Sequence, residues 1–397
     1  MRIMMLLSND LYRDARVQRE ARALTAAGHV VTIVATKSER TTDRENLDGI
    51  EVVRVDIRRS GPALLWNVFL WPWRFSSLAR KAASLPMDVV HAHDLDVLGP
   101  ATRLARRRRV PLVYDSHELF LASLNQGFRP GATGLRRGAQ AAALAWMRWI
   151  GRHVERRGYQ RASAHITTNE SYSRILGEMY GPPCPLPVDN YPPYQEAFES
   201  DALRRRLDIA GNQKIVLYQG NFTYGRGLEQ FLAAIGMLDE TYVAVLVGWG
   251  WIEAELRELA EALGIADRVH FVSTVPAGEL LELTMSADLG IMTTDPINDS
   301  RHYCTSNKLF EYLMAGLPVV VSDLPENRKV LERYRVGELL DDLDPGGIAG
   351  AILRVFERPD AERQLAREQA LLAVKEAYRW ELQVPRLIGV YEGLEAR

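Results

Sequence analysis

The sequence predicts an α/β protein built from two parallel sheets, each wrapped by helices, and three observations carry that expectation. Short apolar runs alternate with helix-sized amphipathic stretches along the chain. One proline-dense segment interrupts the alternation, which then restarts. With 397 residues, 47% hydrophobic and 25% charged, the chain is also long enough for two separate cores.

The first half offers strands at RIMMLLS, HVVTIVA, IEVVRV, DVVHAH, PLVYDS and AHITTN, with helices over Asp14 to Ala27 and Leu95 to Arg107 between them. Residues Gly181 to Tyr194, GPPCPLPVDNYPPY, favour no regular element, and the domain boundary is expected there. The pattern resumes with KIVLYQG, VAVLVG, RVHFVS, ADLGIMT, LPVVVSD and VGELL, so two Rossmann-like halves are expected. The closing stretch Trp380 to Leu394 is amphipathic; its apolar face needs a partner, and a return to the first half would supply one. The expected domains are therefore 1–190, 191–378 and a terminal helix over 379–397.

Composition excludes several classes. Cys184 and Cys304 are too few and too far apart for a disulfide framework or a zinc site, which fits a reducing, cytoplasmic setting. The N-terminal apolar run is too short for a signal peptide, and Ser60 to Trp73 falls short of the roughly 20 residues that cross a bilayer. Charge is uneven. Residues 1–195 carry 28 Lys and Arg against 18 Asp and Glu, whereas the remainder carries 21 against 33. The basic half suggests an anionic partner. RLARRRRVP, Arg103 to Pro111, lacks the aromatic interleaving of a nucleic-acid surface, so a solvated helix end or a peripheral contact with an anionic membrane stays open, the latter helped by Trp66, Trp71 and Trp73 beside Arg74.

Ligands in open α/β sheets collect beyond the C-terminal strand ends. In YQGNFTYGRGLEQF, Gly220, Gly225 and Gly227 let the backbone approach an anion and Arg226 adds a charge, although taken alone the stretch reads better as a tight turn with a surface arginine, since its spacing is neither a Walker loop nor G-x-G-x-x-G. In SNKLFEYLMAGLP, Ser306 suits an N-cap and Gly316 a stop. On that helix Leu309, Phe310, Leu313 and Met314 form a buried side, while Asn307, Lys308 and Glu311 share a face. An anion at the helix mouth would meet free amides and Lys308, with Glu311 about 5 Å further along, a spacing that suits a ribose diol behind a diphosphate. The alternative is a surface Lys308–Glu311 pair.

Taken together, TSNKLFEYLMAGLPVVVSDLPE, LYQGNFTYGRGLE and VYDSHELF resemble the glycosyltransferase-B fold enzymes, in particular retaining glycosyltransferase family 4, across nearly the whole chain. The resemblance implies an acceptor-binding first domain, a nucleotide-sugar-binding second domain and chemistry in the cleft between them. It implies that Glu311 binds the ribose, that Ser306, Asn307, Lys308 and Leu309 form the diphosphate-holding helix start, and that Arg226 contacts the same phosphates. Gly220, Asn221, Gly225, Gly227 and Tyr303 fall in the donor region, with Val275 in the variable stretch near the base. His117 matches a first-domain histidine that reaches the transferred sugar. Tyr303 stands where members often carry an earlier glutamate, and Asn221 where they often carry an arginine. The donor would be of the UDP or GDP type, with no cofactor and no metal, and the acceptor a saccharide, lipid-linked or small-molecule hydroxyl.

On the acceptor side, Asn9 and Asp10 end the first strand, while His93 and Asp94 in HAHD and Glu118 beside His117 are expected to line the cleft. His91 suits a satisfied core histidine, and Asp115 a structural cap. No dinucleotide fingerprint, nucleophile elbow or zinc spacing occurs, which argues against an oxidoreductase or hydrolase. The departures at Tyr303 and Asn221 keep a second reading open, a non-catalytic partner that binds a sugar nucleotide or another protein without turnover.

Overall fold

The computed structural model describes residues 1–12, 14–57, 71–124 and 134–396. The chain forms two units, Met1–Asn190 with Gln383–Arg397, and Tyr191–Leu382.

The first unit holds β1 (Arg2–Leu6), β2 (Val30–Thr36), β3 (Arg44–Leu47), β4 (Ile50–Val55), β5 (Val89–His93), β6 (Leu112–Ser116), β7 (Ala164–Thr167) and β8 (Leu186–Pro187) in the order β3-β4-β2-β1-β5-β6-β7-β8. Its central strands read Ile3 to Leu6, Val89 to His93 and Leu112 to Ser116 as buried runs, as strands covered on both faces should. Two strands depart from the sequence expectation. β3 pairs antiparallel with β4 through a tight turn at Asp48 and Gly49, both at positive φ (54° and 89°), the Asp-Gly signature of a hairpin. β8 forms inside the proline-rich segment, where Leu186 and Pro187 pair with Ile166 and Thr167 at a sheet edge that tolerates a missing N–H.

A helix at Val384–Glu395 buries Leu387, Tyr391 and Leu394 in this unit and packs beside the Ala15–Ala26 helix. Trp71 is also core rather than membrane-facing: it is 4% exposed, its Nε1 donates to Asp96 Oδ1 at 2.5 Å, and it stacks on Phe120 at 5.6 Å. Of its expected companions, Trp73 is exposed and Trp66 lies outside the described residues. Arg106, Arg107 and Arg108 end the Leu95–Arg108 helix as exposed cations on its negative dipole end.

The second unit holds β9 (Lys214–Asn221), β10 (Tyr242–Trp249), β11 (Val269–Val272), β12 (Leu289–Met292), β13 (Val319–Ser322) and β14 (Gly337–Leu340) in the order β11-β10-β9-β12-β13-β14, every pair parallel. In each sheet the strand order reverses once, between β1 and β5 in the first unit and between β9 and β12 in the second. A crevice opens beyond the strand ends at such a reversal. The loops that start at Leu7 and Asp94, and those that start at Phe222 and Thr293, therefore frame the natural binding positions.

Packing fixes the Asn307–Met314 helix over the second reversal. Leu309, Phe310, Tyr312, Leu313 and Met314 are buried on it. The close approach requires Gly290 on β12, where an added Cβ would lie 2.4 Å from the Tyr312 ring. The Tyr312 hydroxyl accepts from Gln219 N at 3.0 Å and donates to Ile291 O at 3.2 Å, so one buried phenol ties helix, β9 and β12 together.

Candidate active site

In the second unit, β9 ends at Gly220 and Asn221, and the chain turns through Gly225, Arg226 and Gly227 into the Leu228–Met237 helix. Thr293, the residue after β12, locks this turn: its Oγ1 donates to the carbonyls of Arg226 at 2.8 Å and Gly227 at 3.1 Å. Arg301 braces it from the far side, donating from Nη1 to Gly225 O at 2.8 Å and Tyr224 O at 3.1 Å. Neither Thr293 nor Arg301 stands out in the sequence, because both act through backbone carbonyls.

Lys308 lies across the end of β9. An added Cβ on Gly220 (φ 131°) would sit 2.4 Å from Lys308 Cε, so only glycine leaves the lysine its path. Lys308 Nζ stands 5.3 Å from the Tyr218 ring centroid. Burial, reinforced by the Arg226 charge and opposed by Glu311, pulls the Lys308 ammonium down to about 7. Burial and then Arg226 also lower Arg301. Arg226 keeps a buried Nε with no hydrogen-bond partner among the described residues. Cations crowded in this way invite a polyanion.

Ser306 is the N-cap residue, extended at φ −99° and ψ 128°, yet its side chain makes no capping bond. The helix mouth is thus left uncapped by its own side chain. Asn307 is half-buried in the first turn. Leu309 does not serve the mouth: its side chain is 1% exposed in the core and its N–H bonds Ser306 O at 3.2 Å. Glu311 is half-buried, and its Oε2 accepts from Gln219 Nε2, while Gln219 Oε1 accepts from Thr284 Oγ1 at 2.9 Å. Gln219, the strand residue before Gly220, thereby aims the carboxylate. Its signal in YQGN is a lone amide ending an apolar strand. Tyr303 caps the short Asp299–His302 helix, edge-on to His302, and Val275 packs half-buried against the unit's core. Asn221 is exposed.

In the first unit, β5 and β6 bring His91, His93, Asp94, Asp115 and His117 together. Asp115, expected to be a cap, is instead the fully buried hub. It accepts from Arg16 Nη2 at 3.0 Å and lies 3.2 Å from His117 Nε2. Arg16 and Glu20, one helical turn apart, supply the rest of the network, with Arg16 Nε 2.9 Å from Glu20 Oε1. Burial pushes the Glu20 carboxyl up to about 8, whereas for Asp115 the Arg16 and His117 charges overcome burial and hold it well below the usual carboxylate range. Burial disfavours a charge on His117, but Asp94 and Asp115 outweigh it and raise the imidazole to about 10. His93 Nδ1 lies 3.1 Å from His117 Nε2, and His91 Nδ1 meets the Tyr391 hydroxyl at 2.7 Å.

Glu20, His91, His93 and Asp115 are close enough to suggest a metal, yet Arg16 stands within ion-pair distance of both carboxylates, which spends that donor set on a guanidinium. The remaining acceptor-side candidates are bound locally. Asn9 Oδ1 accepts from Leu11 N and Asp10 Oδ1 from Tyr12 N, which shapes the turn after β1, and Glu118 Oε2 accepts from Ser123 Oγ.

The sequence matches the glycosyl transferase 4-like domain over residues 14–188 and the glycosyl transferases group 1 domain over residues 199–371. It is 23% identical over 384 residues to an uncharacterised glycosyltransferase of Methanocaldococcus jannaschii, covering 94% of this chain and 92% of that one. It is 27% identical to the D-inositol 3-phosphate glycosyltransferase of Acidothermus cellulolyticus, covering 77% and 66%. Among solved structures, sucrose-phosphate synthase from Thermosynechococcus elongatus superposes with a TM-score of 0.77 at 18% identity over 100% of both chains. Anabaena HepE in complex with UDP-glucose gives 0.72 at 16% identity over 99% and 100%. With two parallel-sheet units and these two domains spanning most of its length, the chain belongs to the glycosyltransferases of the glycosyltransferase-B fold, family 4 type.

Proposed function

We propose that the protein transfers a sugar, with retention of anomeric configuration and without a metal ion, from a nucleoside-diphosphate sugar of the UDP or GDP type to a hydroxyl of a saccharide, lipid-linked or small-molecule acceptor. One observation carries the donor assignment: Lys308, close enough to feel the Arg226 charge, sits in the first turn of a helix whose N-cap side chain makes no capping bond, and Glu311, held by Gln219, stands one turn along the same helix. The diphosphate is the leaving group, so the cations and helix amides gain most by stabilising the charge that grows on it during transfer. Retention rests on the resemblance; there the departing phosphate takes the acceptor proton on the same face. His117, cationic near neutral pH, is assigned to the transferred sugar.

A thermal-shift screen tests the donor. At a ligand concentration of about 100 times Kd, the matching nucleoside diphosphate stabilises the second unit by about 2.7 kcal/mol, a rise of about 5 to 10 °C. Glu311→Ala should abolish most of the nucleotide shift while leaving the shift with inorganic pyrophosphate intact. Equal loss of both would remove the ribose role.

A lipid-linked acceptor is favoured by the first unit's excess of basic residues and by Trp73 (53% exposed) and Trp149 (60% exposed), which lie on a turn and a helix packed against the Leu95–Arg108 helix that carries Arg106 and Arg107. Among the described residues no helix is long and apolar enough to cross a membrane. Sedimentation with vesicles rich in phosphatidylglycerol should retain the protein at low salt and phosphatidylcholine vesicles should not. Trp149→Ala should weaken retention, and equal retention by both lipids would count against an anionic surface.

A further inference from the structure

Asp94 stands at the start of the Leu95–Arg108 helix with φ 66° and ψ 168°, a region of backbone space that essentially only glycine occupies without cost. A non-glycine residue persists in such a conformation when its side chain is needed there. Helix capping is not that need, because the Asp94 side chain makes no capping bond to its own helix. Both of its oxygens turn instead to one residue: Oδ1 accepts from the His117 backbone N–H at 2.8 Å, and Oδ2 lies 3.4 Å from His117 Nδ1. Asp94 N also donates to Asp115 O at 2.8 Å, so the strained turn is stitched to β6, the strand that runs into His117.

We propose that Asp94 is a positioning residue held in a strained backbone so that its carboxylate clamps His117 as a cation of fixed orientation. The reading that His117 serves sugar transfer is the premise for its effect on turnover; the clamp itself is independent of it. The imidazole is gripped at both nitrogens, Asp94 at Nδ1 and Asp115 at Nε2, with Nε2 also 3.1 Å from His93 Nδ1. Among the described residues, the charged or titratable groups that act on the ring are Arg16, Asp14 and Glu20 on or capping the first helix, His91 and His93 on β5, Asp94, and Asp115 on β6, while Glu118 acts on Asp94. Burial alone would discharge the ring, and the two carboxylates reverse that outcome; burial also raises the Asp94 carboxyl itself to about 7, so its share of the grip is fullest above that pH and Asp115 carries it below. An imidazole so held cannot act as a general base near neutral pH; it supplies fixed positive charge.

Strain and clamping make opposite demands, and two variants separate them. Asp94→Gly and Asp94→Ala both remove the carboxylate, but only glycine relieves the backbone. The titration of the His117 ring, followed by NMR and identified by its absence in His117→Gln, should fall by about 1 to 3 pH units in both variants. Turnover should fall about tenfold or more in both. The glycine variant should melt about 2 to 4 °C above the alanine variant. Asp94→Asn, which keeps the shape and the acceptor for the His117 N–H, should retain the ring's orientation but share the lowered titration. An unchanged His117 titration in Asp94→Gly, or identical melting of the glycine and alanine variants, would overturn the proposal. A wild-type protein that turns over no sugar nucleotide would sink the transferase reading, while titration and melting would still decide the clamp.

Discussion

Lys308→Ala is expected to lower turnover by about two to three orders of magnitude, the cost of removing one preorganised charge from a developing anion, while making the second unit more stable rather than less. The second half of that expectation follows from the lysine's environment. Burial and the neighbouring Arg226 hold its ammonium down to about 7 in the folded protein, against about 10.4 for an unperturbed lysine. Between those values the unfolded chain binds more protons than the folded one, so the fold gains stability as pH rises through the window. Below about 7 the penalty for a charged Lys308 is felt in full; above the unfolded value it is gone. The stabilisation by alanine should therefore be largest near pH 6 and vanish above pH 10.5. Arg226→Ala should raise the lysine's own titration, so the two substitutions should combine less than additively in stability. Thermal melts of the single and double variants at pH 6 and pH 9, set beside turnover, check both halves. A Lys308→Ala protein with normal turnover, or one destabilised at pH 6, would contradict this account of the site.

Glu311 was legible in the sequence because it conflicts with its surroundings: a carboxylate in line with Leu309, Phe310, Leu313 and Met314 asks for a partner, and the structure gives it Gln219. The parallel strands were legible for a related reason, since buried strands such as Val243 to Val247 leave continuous apolar runs. Arg16, Glu20 and Asp115 were not. On a single helix, Arg16 and Glu20 look like an exposed i, i+4 pair among Val17, Ala21 and Leu24. Only the tertiary meeting with β6, 99 residues further on, turns them inward. The hairpin of β3 escaped because Arg44 to Leu47 is polar on both faces, and its one local signal, Asp48-Gly49, sits outside the apolar run. Trp71 is hidden from sequence reading for a similar reason: composition beside Arg74 suggests an interface, and nothing local reveals the stacking against Phe120.

Arg16→Met should be the most destabilising single change in the first unit. Arg16 is 3% exposed and Asp115 fully buried. Removing the guanidinium leaves Asp115 with the His117 ring as its main counter-charge and takes the ion-pair partner from Glu20, and breaking such a buried pair costs about 3 to 5 kcal/mol. For a unit of this size that corresponds to a fall in melting temperature of about 6 to 20 °C. Loss of the Arg16 Nη1 bond to Val188 O at 2.7 Å adds to it, because a buried carbonyl loses its donor. The pH dependence separates the partners. Asp115, held low chiefly by Arg16 once burial is overcome, contributes stability that is present above its unfolded value and lost as pH falls through its folded one. His117, raised to about 10, contributes stability that is complete below about pH 6.5 and lost as pH climbs toward 10. In Arg16→Met the acid limb should move to higher pH, since Asp115 then ionises less readily. The alkaline limb should persist, because Asp94 still faces the ring. Arg16→Met combined with Asp115→Asn should recover part of the lost stability by removing the stranded charge, at the expense of the alkaline limb, which then rests on Asp94 alone. Equal stability of Arg16→Met and wild type would mean that the guanidinium merely fills space, and the charge network drawn around His117 would fall with it.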